Sequence, residues 1–226
     1  MKIYYKFFVN PLFIIKKLQR DNFSKYAEFF KGYILDIGCG TKPFNPYINC
    51  SKYIGMDELQ DVKPDICAKS GSIPFKADCF DGVICTELLE HLKDPESSLL
   101  EIKRVLKSGG YAYFSVPQSW GLHYEPQDYW RFTKYGIEYL LKKFNFEILE
   151  IKRIGGIFSL VGQELVDVYW TKLVKSLSFL KLKWAERIAS FLCFLISLTF
   201  YVLGQIADKI DYRYCLGWAV LATKRR

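Results

Sequence analysis

The stretch YILDIGCGTKPF, residues 33–44, limits what this chain can fold into more than any other part of it. Its first five residues are apolar apart from Asp36, as expected of a short strand covered on both faces. Gly38 and Gly40 follow at once, so the strand ends in a loop whose backbone N–H groups can face a ligand. The third glycine of a dinucleotide fingerprint would stand at position 43, where this chain has Pro43. The surviving pattern, D-x-G-x-G at Asp36, Gly38 and Gly40, places a carboxylate in the loop, which suits a cationic ligand better than a pyrophosphate. Asp57 lies 19 residues past Gly38, at the end of the run KYIGMD, where a carboxylate can accept from both hydroxyls of a ribose.

Strand-length apolar runs and helical patterns alternate along the rest of the core. Strands are expected at 33–37, 52–57, 80–86, 111–117, 146–154 and 216–223. Asn10-Pro11 reads as an N-cap with proline at the first helical position, opening a helix through about Arg20. Ser24 is placed to cap a second short helix bearing Tyr26, Phe29 and Phe30, which Gly32 ends. Asp94-Pro95 caps a helix with Leu99, Ile102, Val105 and Leu106 inward, stopped by Gly109-Gly110, and Thr133 opens another through Phe144. This alternation implies right-handed crossovers and an α/β, doubly wound, mostly parallel sheet. One stretch departs from it: residues 157–212 are helical and apolar, with an uncharged run of 20 residues from Ile188 to Ala207. The expected organisation is 1–32, basic and aromatic helices; 33–156, the core; 157–212, an apolar helical insertion; and 213–226, a closing strand.

With these motifs in place, the chain resembles the class I S-adenosylmethionine-dependent methyltransferases, and within them the type 11-like group. LDIGCGTKPF is similar to the family's first motif and IGMD to its ribose-binding motif. IPFKADCFDGVICTELLEHLKDP looks like the stretch that passes the adenine and carries the fourth strand, and EIKRVLKSGGYAYFSVP like the helix and fifth strand after it. The resemblance covers about residues 33–155 plus the closing strand. It implies a seven-stranded Rossmann-like sheet and S-adenosylmethionine as cofactor. It also implies Asp36, Gly38, Cys39 and Gly40 around the methionine end, Asp57 on the ribose, Ser72 and Ile73 near the adenine, and Thr86 and Glu87 at the end of the fourth strand. One position departs from the pattern: Lys69 stands where relatives carry an Asp that meets the adenine amine, so either the loop register or the adenine contact differs.

Methyl transfer from a sulfonium is an in-line displacement, which the protein serves by alignment and exclusion of water. A hydroxyl acceptor calls for a base. The two histidines of the chain, His91 and His123, both fall on the ligand side. His91, in LEHL, either touches the chemistry or braces the helix after the fourth strand. HYEPQDYWRFT, residues 123–133, is similar to an H-x-x-P-x-D-Y-x-R-x-T stretch of methyltransferases associated with glycan and polysaccharide gene sets. It offers His123 as a base, Asp128 as an acid, and Tyr124 and Arg131 as acceptor contacts. Alternatively, Asp128 and Arg131 pair with each other and hold a rigid loop closed, with Tyr129 and Trp130 packing. The resemblance favours O-methylation of a sugar or lipid-linked glycan. Its rivals are a small lipophilic acceptor such as a quinone precursor, and a scaffold that has lost cofactor binding.

Charge and composition bear on partners. Residues 1–33 carry seven Lys/Arg against two Asp/Glu, residues 34–150 carry 13 against 17, and residues 151–226 carry 12 against five. The basic excess sits with apolar helices rather than with the core, which argues against a nucleic-acid partner and for an anionic membrane surface. A single crossing by 188–207 is incompatible with a last strand that rejoins the sheet, and Glu164 and Asp167 oppose a second span. A monotopic hairpin beside Lys172, Lys175, Lys181, Lys183 and Arg187 is expected, on the cytoplasmic face of the cell membrane; the alternative is a helical cover or homodimer interface in a soluble protein. Seven cysteines without a C-x-x-C pair argue against zinc and against a disulfide framework, so no metal is expected and the cytosol is the default compartment. The apolar run Phe7 to Ile15 is broken by Asn10-Pro11 and reads as no signal peptide.

Overall fold

The computed structural model describes residues 11–225, without the side chains of Lys175 and Ser178. Asn10, the expected first cap, lies outside the described residues. Contacts divide the chain into two units, one of residues 20–118, 122–152 and 217–226, the other of residues up to Gln19 with 119–121 and 153–216.

The first unit is built on a seven-stranded sheet. Its strands are β1 (Tyr33–Ile37), β2 (Lys52–Asp57), β3 (Ile66–Cys67), β4 (Phe80–Thr86), β5 (Leu106–Pro117), β6 (Phe146–Ile154) and β7 (Gly217–Lys224), in the order β3-β2-β1-β4-β5-β7-β6. β1 runs parallel to both β2 and β4, with Asp36 opposite Gly55 on one side and Ile84 on the other. Ile34, Leu35 and Ile37 are buried to 1% exposure or less, as the apolar run requires of a strand covered on both faces. β7 pairs with β5 antiparallel, Val220 opposite Phe114, and is buried over most of its length.

Local chemistry accounts for most element ends. Asp94 Oδ1 accepts from the N–H groups of Glu96 and Ser97, capping the helix Pro95–Val105, whose Leu99, Ile102 and Val105 are fully buried. Burial on that scale contributes about 1.5–3 kcal/mol per side chain. Thr133 Oγ1 likewise accepts from Gly136 N–H ahead of the helix Lys134–Lys143.

Four elements depart from expectation. The first helix runs Phe13–Ser24, past Arg20, and the second shrinks to a single 3-10 turn, Ala27–Phe29. The Ser24 hydroxyl donates back to Asp21 O instead of capping forward. Phe23 packs on Phe30, Phe44 and Tyr113 with ring centroids 4.7–5.6 Å apart, which draws the chain after it into the core. Gly109-Gly110 do not end the helix; the backbone is already extended at Leu106, and the glycines lie inside β5, where the register against β4 shifts between Phe80 and Gly82. β3, two residues long, carries too little periodicity to be read from sequence.

The second unit is helical. It holds Ile157–Tyr169, a π-helical turn Trp170–Val174, Lys175–Phe179 and the 25-residue helix Lys183–Ala207. Ile157–Tyr169 and Lys183–Ala207 pack on each other as a hairpin. Gln163, fully buried, ties the start of the first helix to it: Oε1 accepts from Ile15 N–H at 3.2 Å and Nε2 donates to Pro11 O at 2.7 Å. The base of the hairpin is closed by Asp208, whose carboxylate accepts from the N–H groups of Gly156, Phe158 and Ser159 and from the Ser159 hydroxyl. A helix N-terminus leaves just such donors without intrahelical partners. Asp208→Ala is expected to cost roughly 3 kcal/mol at this end, because charged acceptors to buried donors are worth about 1.5–3 kcal/mol. Native-state hydrogen exchange checks it: the amides of Phe158 and Ser159 should lose about a hundredfold of protection, and unchanged protection refutes the cap.

Candidate cofactor and acceptor site

The carboxyl ends of β1 and β2 converge on Asp57. Its Oδ2 accepts from Gly40 N–H and its Oδ1 from Leu59 N–H, both at 3.0 Å. Each oxygen keeps a lone pair for a further donor. The loop after β1 turns through Gly38 and Gly40, at φ +68° and +47°, and the N–H groups of Gly38 and Cys39 both donate to Met56 O. A Cβ on Gly38 would meet Leu88, whereas one on Gly40 would meet nothing within 4 Å. The loop is thus packed from below at Gly38 and open above Gly40, where a ligand can approach the backbone. The Cys39 side chain faces inward and is buried; burial and the neighbouring Asp36 carboxylate push its thiol up to about 12.

Asp36 does not share that open surface. It is 1% exposed; Oδ2 accepts from the Tyr53 hydroxyl and Oδ1 has no hydrogen-bond partner among the described residues. Burial raises its carboxyl to about 7, against the lowering effect of the Tyr53 hydrogen bond, with the Asp57 charge raising it further. The carboxylate that the D-x-G-x-G pattern presents is therefore sunk beneath the loop and half-neutral near pH 7. Tyr53, two residues out of step on the adjacent strand, was not singled out in the sequence, because the register that brings it to Asp36 is a tertiary fact.

On the side assigned to the adenine, Ser72 is exposed while Ile73 is buried. Ile73 is held at both backbone groups, N–H to Glu101 Oε2 at 2.8 Å and O from Arg104 Nη2 at 2.9 Å. Lys69 is exposed, and its carbonyl accepts from Ser72 N–H.

Beyond β4 and β5 the structure brings the remaining candidates together. Glu87, with φ +48°, takes the Ser115 hydroxyl at 2.7 Å, and Thr86 sits beside it at the end of β4. His91 Nδ1 lies 2.6 Å from Gln127 O, so Nδ1 carries a proton and donates to that carbonyl, and Nε2 lies 3.7 Å from Glu90 Oε1. The His91 ring stacks edge-on against His123 at 4.7 Å and on Tyr124 at 5.3 Å. Asp128 forms a two-pronged pair with Arg131, both contacts at 2.7 Å, accepts from His123 N–H at 3.0 Å, and lies 3.4 Å from His123 Nδ1. Both readings of the 123–133 segment thus have a structural counterpart, the closed Asp128–Arg131 loop and a carboxylate behind His123. The Arg131 guanidinium and the His123 contacts hold the Asp128 carboxyl well below the usual range, which makes it a poor base and a good anchor. Trp130 Nε1 donates to Leu92 O, but the ring is exposed and does not pack as expected.

Glu90 is the residue that the sequence reading passed over. It is fully buried, neither carboxyl oxygen has a hydrogen-bond partner among the described residues, and burial with the Glu87 charge nearby raises it well above the carboxylate range. The potential ligand atoms of Glu90, His91 and His123 all lie within 4.8 Å of one another, so these three are the described residues that could hold a metal ion.

Residues 35–114 match a family model described as a methyltransferase domain. A ubiquinone biosynthesis O-methyltransferase of Alkalilimnicola ehrlichii is 41% identical over 150 residues, 58% of this chain and 58% of that protein. An uncharacterised methyltransferase of Schizosaccharomyces pombe is 35% identical over 103 residues, 34% of this chain and 37% of that one. The chain therefore spans well under two thirds of the length of these relatives. Among solved structures, a SAM-dependent methyltransferase from Archaeoglobus fulgidus aligns with a TM-score of 0.56 and 19% identity, covering 92% of this chain and 94% of that one. The cyclase SpnF aligns with a TM-score of 0.60 and 19% identity, covering 92% and 80%. Likeness at that identity speaks for the fold alone.

The raised Asp36 carboxyl has a consequence for stability. Its folded value near 7 lies above the ordinary 3.8, so the native state holds a proton that the unfolded chain has released between those values. Its contribution is fully present below about pH 4 and is lost as pH rises through about 7, by up to roughly 4 kcal/mol. Urea unfolding at pH 5 and pH 8 should show wild type losing stability relative to Asp36→Asn across that interval, and a pH-independent difference would refute it. In its sheet order the chain has the fold of the solved SAM-dependent methyltransferase it aligns with, and its residues 35–114 match the methyltransferase-domain model.

Proposed function

We propose that the protein transfers a methyl group from S-adenosylmethionine to a hydroxyl of a lipophilic acceptor. The observation that carries this is the convergence of Gly40 and Leu59 N–H groups on Asp57 beside an open loop backbone. That arrangement fits the cofactor: Asp57 has acceptor capacity left for two ribose hydroxyls, and the space over Gly40 admits the methionine portion. When bound, S-adenosylmethionine supplies a methyl group on a positively charged sulfur. The chain's own residues align and deprotonate the acceptor. Asp128, pinned by Arg131, turns the His123 ring through Nδ1, and His123 takes the acceptor's hydroxyl proton at Nε2 as the oxygen attacks. His91 packs between the His123 and Tyr124 rings and shields one side of that base from water.

One observation favours a lipophilic phenol, the chemistry of a quinone precursor. Relatives named ubiquinone biosynthesis O-methyltransferase recur, at 41% and 38% identity in Alkalilimnicola ehrlichii and Pseudomonas fluorescens. A lipid-linked glycan hydroxyl rests instead on the resemblance of residues 123–133.

Calorimetric titration with S-adenosylhomocysteine should show binding, weakened about a hundredfold by Asp57→Ala, since two hydrogen bonds to a charged group are worth about 1.5–3 kcal/mol each. No binding would leave the protein a scaffold. His123→Ala should lower kcat by about a hundredfold or more with cofactor affinity unchanged, the range for a lost general base; intact turnover would refute the assignment. A labelled methyl donor with lipid and glycan extracts separates the acceptors, and label in an aryl methyl ether is expected.

A further inference from the structure

The helical hairpin turns a stripe of its large apolar residues outward, while Val166 is buried and Phe200 packs on Gly162. Where Ile157–Tyr169 meets Lys183–Ala207, the contact is lined by Ser159, Gly162, Ser190, Cys193, Ser197 and Gly204, all buried. The approach is close: a Cβ on Gly162 would stand 2.2 Å from Phe200 Cβ, and one on Gly204 2.4 Å from Ser159 Oγ. The hydroxyls are satisfied locally, Ser197 Oγ donating to Cys193 O at 2.8 Å and Ser159 Oγ to Asp208. The opposite stripe of the long helix carries Phe191, Leu195, Leu198, Val202 and Ile206, with Phe191 59% and Ile206 72% exposed. In water a helix buries its large apolar residues and leaves small ones outside. Small residues at the helix contact with large ones outward is how helices pack in lipid.

Charge selects the occupant. Residues 172–187 contain five Lys/Arg and one acid, and Lys172, Lys181, Lys183 and Arg187 are exposed. Three of them stand at the start of the long helix, where the helix dipole already disfavours positive charge. An anionic surface relieves that cost, whereas a second copy would bring the same charges together. Glu164 and Asp167, both exposed on the first arm, oppose burial of the whole hairpin in hydrocarbon.

We propose that the helix Lys183–Ala207 lies in the plane of one leaflet of an anionic bilayer, its Phe191–Ile206 stripe among the acyl chains and its basic N-terminal end among phosphate headgroups. The docking is independent of methyl transfer and is read by a different measurement. Flotation uses vesicles of phosphatidylcholine with or without an equal part of phosphatidylglycerol. The full chain is expected to float with the anionic vesicles. K181E/K183E/R187E should lower its partition about tenfold or more, given about 1 kcal/mol per basic residue near such a surface. Replacing Leu195, Leu198 and Val202 by serine should abolish flotation. Both variants should bind S-adenosylhomocysteine as wild type does, which shows that they fold. Protein that stays at the bottom with both vesicles, or that floats alike in all three forms, overturns the proposal. A monodisperse dimer in sedimentation without detergent, dissolved by the serine substitutions, assigns the stripe to a second copy and overturns it too.

Discussion

The pairing of β7 with β5 is the constraint on which the rest of the chain's organisation depends. Val220 lies opposite Phe114 and Gly217 opposite Pro117, so the chain that leaves the sheet after β6 must come back to its interior. An excursion that returns cannot end on the far side of a membrane, which leaves a hairpin as the geometry for residues 157–207. Asp208 then does at the hairpin's base what a turn residue does in a β-hairpin: one carboxylate collects the donors that begin one helix from just past the end of the other.

Four acidic side chains of the candidate site differ in what surrounds them. Asp57 accepts two backbone N–H groups and retains room for ligand donors. Asp36 has a phenol on one oxygen and nothing described on the other, and Glu90 has neither oxygen bonded. Burial therefore drives Asp36 and Glu90 toward the neutral form, while Asp128, with a guanidinium on both oxygens, is driven the other way. Environments that differ in this manner suit carboxyl groups to different tasks: Asp57 is left open to further donors, Asp128 is held charged by its guanidinium, and Asp36 and Glu90 are driven toward the neutral form. The half-neutral state of Asp36 also modifies the electrostatic case from its motif: what excludes a dinucleotide here is Pro43 and the missing third glycine more than a full negative charge.

The core was legible because its signals are local. An apolar run bounded by glycines, an Asp-Pro at a helix start and a Thr before Lys134 each specify an element through neighbours a few residues away, and β1, β2, β4, β6 and both caps follow them. Ser24 failed because two local options compete for one hydroxyl, and burial of Phe23 and Phe30 decided between them. The site was half legible for the same reason. Asp57, Gly40, His123 and Asp128 sit in recognisable spacings, while Tyr53 and Glu90 acquire their importance from register and depth, which no spacing encodes.

The long helix shows how far such patterns reach. Its sequence repeats apolar residues densely enough that periodicity alone cannot say which face is inside. The distribution of size does say: Ala189, Ser190, Cys193, Ser197 and Gly204 fall on one side, and Phe191, Leu195, Leu198, Val202 and Ile206 on the other. A core helix in water draws its stability from the large set, because each buried Leu or Phe is worth about 1.5–3 kcal/mol while an Ala or Ser is worth little. A helix whose contact face is the small set gains mainly from close backbone approach, which is sufficient only where the large set is not in water. The segment's composition, its exposed stripe and its basic end therefore describe one surface, and it is on that surface that the proposed docking to lipid rests.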